Sequence, residues 1–180
     1  MTVKNRVLLG LSLICGVLSL CFWPEREEDA FSSDVFRQAE EVTAAETEMM
    51  APDEVLQSAK GDVHLQALYN KRPVCLFFWA SWSSGSLRQL EVLESLYGQY
   101  GQDIYFLAIP VGPDTEHSRT YYQGSGGSLS LYEGNRQMLK DYGIHQVPQL
   151  VLIRRGGQML RPFSDVLTAR QLAYELEKIK

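Results

Sequence analysis

Val74-Cys75-Leu76-Phe77-Phe78-Trp79-Ala80-Ser81-Trp82-Ser83-Ser84-Gly85-Ser86 joins a six-residue apolar run to a serine-rich turn. The run follows Pro73 and does not alternate with polar residues, which predicts a strand buried on both faces. Beyond the turn, Leu87, Leu90, Leu93, Leu96, Tyr97 and Tyr100 recur at helical spacing, and the helix should end near Gly98–Gly101.

Downstream, Ile104 to Ile109 reads as a second buried strand. A short helix is expected over residues 115–122, then a glycine-rich loop from Gly124 and a short strand from Leu129 to Tyr132. Asn135 to Tyr142 should be a short helix closed by Gly143. Leu150 to Ile153 reads as a strand, and Gly156-Gly157 turns it into a hairpin with residues 158–161. Thr168 and Gln171 form a capping box for a last helix whose inner stripe is Leu172, Leu176 and Ile179. Strand–helix–strand followed by helix–hairpin–helix predicts an α/β layered domain with a mixed sheet.

Upstream the chain changes character twice. Val7 to Trp23 is uncharged and follows Lys4 and Arg6. As a helix its 17 residues would span roughly 25 Å, close to the ~30 Å of a hydrocarbon core. No A-x-A pattern precedes Pro24 and the acids after it, so residues 1–24 read as a signal anchor, with a cleaved signal peptide as the alternative. Positive charge before the run and acid after it place the N-terminus in the cytoplasm and the folded part on the extracytoplasmic, periplasmic side. Residues 25–60 hold eleven acids and three bases and read as an acidic spacer, partly helical or flexible. Val35, Ala39, Val42 and Met49 form a thin apolar stripe within it; a solvated tether is the plainer reading, a short coiled-coil seam the sharper one. Residues 61–180 form the globular domain and are near neutral, which excludes a nucleic-acid footprint.

Cys15 and Cys21 lie in the hydrophobic run, leaving Cys75 alone in the soluble part. No cysteine pair can cycle there. Cys75 sits inside the strand and reads as a buried structural thiol. His64, His117 and His145 show no ligand spacing, so neither a metal nor another cofactor is implied.

Phe78-Trp79-Ala80-Ser81-Trp82-Ser83-Ser84-Gly85-Ser86 resembles the thioredoxin signature F-W-A-x-W-C-x-x-C. Tyr142-Gly143-Ile144-His145-Gln146-Val147-Pro148 is similar to the run that carries the cis-proline of that superfamily. The added helix and strand between residues 112 and 133 resemble the membrane-anchored thiol–disulfide oxidoreductases of cytochrome c maturation. The resemblance implies a thioredoxin fold over residues 61–180, with a helix–strand insertion and a cis Val147–Pro148 bond. It also implies a peptide-binding groove of Trp82, Ser83, Val147 and Pro148.

Ser83 and Ser86 stand where that family has its two cysteines. A hydroxyl forms no disulfide and ionises far less readily than a thiol of pKa ~8.5, so the degenerate motif Ser83-Ser84-Gly85-Ser86 excludes dithiol cycling at this site. Phe77 replaces the buried acid of thioredoxin itself, Glu91 a kinking proline, and Gln149 a common threonine. A Ser83–His145 hydrolase pair lacks both a G-x-S-x-G elbow and an acid partner. The expectation is a non-catalytic module that binds polypeptides in envelope or redox-protein biogenesis. The alternatives are an oxidoreductase relative with divergent chemistry, using an external thiol, and a structural assembly protein.

Overall fold

In a computed structural model, which describes residues 49–59 and 61–180, the elements follow one another as two-residue strands, longer strands and helices. They are β1 (Met49–Met50), β2 (Val55–Leu56), β3 (Val63–His64), α1 (Leu65–Tyr69), β4 (Val74–Trp79) and α2 (Ser84–Tyr100), then β5 (Tyr105–Pro110) and α3 (Thr115–Ser125). After these come β6 (Ser130–Leu131), α4 (Arg136–Asp141), β7 (Gln149–Ile153), β8 (Gln158–Met159) and α5 (Ala169–Ile179).

The main sheet has the order β1-β8-β7-β4-β5-β6. β4 runs parallel to β5, with Val74 opposite Tyr105, and antiparallel to β7, with Val74 opposite Ile153. β2 and β3 pair separately as a small hairpin. This is the mixed α/β sheet that the element order implied.

The unbroken apolar run of β4 divides its side chains between two cores, as the two-residue period of a strand requires. Cys75, Phe77 and Trp79 face one core, with Leu90, Leu93 and Leu96 of α2 and Leu172, Leu176 and Ile179 of α5. Val74, Leu76 and Phe78 face the other, with Leu65 and Tyr69 of α1 and Met138 of α4. The strand therefore fixes where its last residue, Trp79, hands the chain to the serine turn.

Helix ends follow their local chemistry. Asp114, Asn135 and Thr168 cap α3, α4 and α5 through side-chain oxygens, and the Thr168–Gln171 box is reciprocal. Gly126 closes α3 with φ at 68°, so that helix runs three residues beyond the expected 115–122.

The boundary expected at residue 61 lies too late. Residues 49–59 carry β1 and β2, bury Ala51, Glu54 and Leu56, and belong to the domain rather than to a spacer. Met49, expected on a helical stripe, is in a strand opposite Met159. Two-residue strands have no measurable period, and backbone pairing decides them, to β8 for β1 and to β3 for β2. The hydrophobic run at 7–23 and the rest of the spacer stripe lie outside the described residues. Among the described residues no helix is long and apolar enough to cross a membrane.

Candidate functional site

The serine turn sits at the C-terminal end of β4, where α2 begins. Ser83 is the cap of α2: its extended backbone lets Oγ accept the Ser86 N–H at 3.2 Å. Ser86 is fully buried, and its Oγ accepts the Ala80 N–H at 3.3 Å. Both hydroxyls therefore serve the backbone of the turn itself.

α3 holds the turn from the side. The Ser81 N–H donates to Ser118 Oγ at 2.9 Å, and that hydroxyl donates to Ser81 Oγ at 3.1 Å. Gly112, at φ 98°, lies beneath the indole of Trp82, where a Cβ would stand 3.6 Å from Nε1. Trp82 is 63% exposed and Trp79 is fully buried, stacked parallel to Phe77 with ring centroids 6.3 Å apart.

The Val147–Pro148 bond is cis, as the resemblance implied. Pro148 meets the start of α2: a Cβ on Gly85 would lie 3.1 Å from the proline Cδ and 3.5 Å from Val166. The turn and the proline loop thus adjoin, although 63 positions separate Gly85 from Pro148. Among the described residues neither backbone group of Val147 has a hydrogen-bond partner.

One element of the expected accessible groove needs correction. Trp82 is exposed and Ser83 and Val147 are half-buried, but Pro148 is buried. The segment around Val166 reaches the same Gly85 position as the proline. That segment is held by the Leu167 N–H, which donates to Gln89 Oε1 at 2.7 Å, and by Gln146 Nε2, which donates to the Ser164 carbonyl at 3.3 Å. Sequence reading missed Gly112, Ser118, Gln89 and Val166. Only Val111-Gly112-Pro113, a turn signal directly after a strand, offered a local hint.

The chemistry available is limited. Burial pushes the Cys75 thiol well above its ordinary range, and Cys75 lies about 13 Å along the strand from Trp79. His145 is exposed and makes no hydrogen bond or ion pair among the described residues. The buried Gln89 Nε2 and Trp79 Nε1 have no hydrogen-bond partner among the described residues. What the site offers outward is an indole face, a helix start and one unpaired backbone position at Val147.

A mixed sheet of this order, with a helix starting directly after the central strand and a cis-proline loop against that start, defines a thioredoxin-fold protein. A family model described as thioredoxin-like matches residues 70–159, half of the 180-residue chain. The chain belongs to this thioredoxin-like family. It is 28% identical over 142 residues to the thiol-disulfide oxidoreductase ResA of Geobacillus thermodenitrificans, covering 78% of this chain and 82% of the relative. The ResA of Geobacillus kaustophilus is similar to the same extent. Among solved structures, the exposed lipoprotein thioredoxin of Streptococcus pneumoniae superposes with a TM-score of 0.61 at 20% identity, over 71% of this chain and 99% of that one. The thioredoxin domain of a Bacteroides vulgatus thiol-disulfide oxidoreductase gives 0.60 at 16% identity, over 74% and 98%. These two likenesses are of fold.

Proposed function

We propose that this chain is a membrane-tethered, extracytoplasmic member of the family that binds polypeptide partners and does not itself cycle a disulfide. Residues 7–23 would hold it to the membrane, and the turn at Trp82 with the Val147–Pro148 loop would hold the partner. The observation that carries the reading is the pairing of two serines at the redox positions with an otherwise formed site. Ser83 and Ser86 are spent on the backbone, while Trp82 stays exposed and the N–H and C=O of Val147 are unpaired among the described residues. Pairing of an extended peptide through backbone groups needs no sulfur, and an exposed indole supplies a large contact surface.

The test has two arms. The purified chain should not reduce insulin above a heat-inactivated control. An envelope extract passed over the immobilised chain should leave polypeptides whose capture falls with Trp82→Ala. Insulin turnover would reject the redox-inactive reading; capture that ignores Trp82 would reject the groove.

A second reading is supported by the curated relatives, which carry the name thiol-disulfide oxidoreductase. On it the chain acts in a redox pathway alongside an external thiol. Glutathione-dependent turnover that survives Cys75→Ala would favour that reading.

A further inference from the structure

Leu87, Leu90, Glu91 and Glu94 stand at i, i+3, i+4 and i+7 in α2, so the helix presents all four on one face. Opposite them stands Tyr121 of α3, and the space between the two helices is a groove of about 410 Å³. The glycine-rich loop after α3 closes its far end. Gly126 leaves the helix in the left-handed region, and any side chain on Gly127 would run into the Tyr122 ring. Glu94 ties this loop down. Each of its carboxylate oxygens accepts the Ser128 N–H at 3.0 Å, and Oε1 also accepts the Tyr122 hydroxyl at 2.6 Å. Both donors are neutral groups, so these bonds leave the carboxylate without a counter-charge.

The groove combines three kinds of surface. Leu87 and Leu90 are part of the core packing and give it an apolar base. The Tyr121 ring is held against the buried Trp79, with centroids 6.4 Å apart, and is still 45% exposed. Glu91 is exposed and Glu94 half-buried, and neither is paired with a cation among the described residues; Arg88, three positions before Glu91, is no exception. A fixed, exposed aromatic ring beside two carboxylates that lack a counter-ion is suited to a cationic side chain. Arginine fits it better than lysine, because a planar guanidinium stacks on the ring while its edge donates to a carboxylate.

We propose that this groove takes an arginine side chain of the polypeptide whose backbone runs past Trp82. The inference rests on the polypeptide-binding reading and adds to it the charge of the partner. The groove joins that site at both helices. The Leu87 N–H donates to the Ser83 carbonyl at 3.1 Å in the first turn of α2. Ser118, three residues before Tyr121, is hydrogen-bonded to Ser81. From Ser83 to Glu91 the helix rises roughly 12 Å, which an extended chain covers in about three to four residues. The arginine therefore stands about three to four positions from the partner residue that lies on Trp82.

The experiment presents the purified full chain, in micelles of an uncharged detergent, with a displayed library of random nonapeptides and sequences the peptides it retains. The wild type should enrich arginine at one position, with an apolar or aromatic residue about three to four positions away. Glu91→Gln, a change at an exposed helix position, should lower the arginine enrichment roughly two- to fivefold. Tyr121→Ala should lower it by a similar factor, roughly two- to fivefold. Glu91→Lys should exchange the arginine for Asp or Glu at the same position. The two Glu91 variants carry the test if loss of the Tyr121 ring from Trp79 unfolds the chain. Peptides that need Trp82 but show no arginine preference overturn the arginine groove and leave the polypeptide-binding reading standing. So does an arginine preference that survives both Glu91 variants. Capture that ignores Trp82→Ala while its arginine preference follows Glu91 rejects the Trp82 site instead, and no capture at all rejects both.

Discussion

Gly85 and Pro148 are packed so closely that a single methyl on the glycine would stand 3.1 Å from the proline ring. Gly85 occupies the first turn of α2 and Pro148 ends the loop before β7, so this contact joins the two halves of the site. Gly85→Ala sets a helix gain of about 1 kcal/mol against a contact from which Pro148 must yield slightly. It should change stability by less than about 1 kcal/mol. Gly85→Leu adds volume with no room for it and should cost about 1–3 kcal/mol. Urea titration of the purified chain checks both. A neutral leucine would mean that the start of α2 and the proline are not in contact.

Trp79 and Trp82 are three residues apart and have opposite environments. Trp79→Ala should cost about 3–5 kcal/mol, as removal of a large buried side chain does. Trp82→Ala should cost little stability and weaken partner capture by about 1–3 kcal/mol, a moderate interface anchor. Capture compared at matched folded fraction separates the two. If both variants only destabilise, the site has no binding role.

Ser83→Cys with Ser86→Cys should give two thiols in the folded chain that a mild oxidant converts to an intramolecular disulfide. Ser83 is half-buried at the helix start, and the start of a 17-residue helix favours a thiolate. Free-thiol counts before and after oxidation check this. Insulin turnover should remain low, because Phe77 supplies no proton acceptor beside the second position. An unfolded double variant would show that the turn depends on hydroxyl hydrogen bonds that sulfur cannot reproduce.

Cys75 should resist alkylation at pH 8 in the native chain and react after denaturation. Burial both excludes the reagent and holds the thiol protonated. Mass spectrometry of the Cys75 peptide gives the answer directly, and rapid native labelling would mean that β4 opens at its start.

The central part of this architecture could be read from local sequence. Val74–Trp79 has one apolar residue after another because cores lie on both of its faces, and a fully apolar run is recognisable without a partner. Thr168 with Gln171, and Asn135 with Gly143, mark helix ends through local chemistry. The features that escaped depend on residues far away in the chain. Met49–Met50 is a strand only because β8 lies beside it. Pro148 lies against Gly85 only because the fold brings together positions 63 apart. Ser118 matters only because α3 delivers it to Ser81. None of these leaves a periodic trace.

The main sheet ends in β1 on one side and β6 on the other, and each is two residues long. Part of the β6 side is taken up further by the bridge between Gln57 and Glu133. Among the described residues each border strand therefore offers a foreign strand only a two-residue ladder to extend. The same brevity makes both margins poor places for any extended chain to pair.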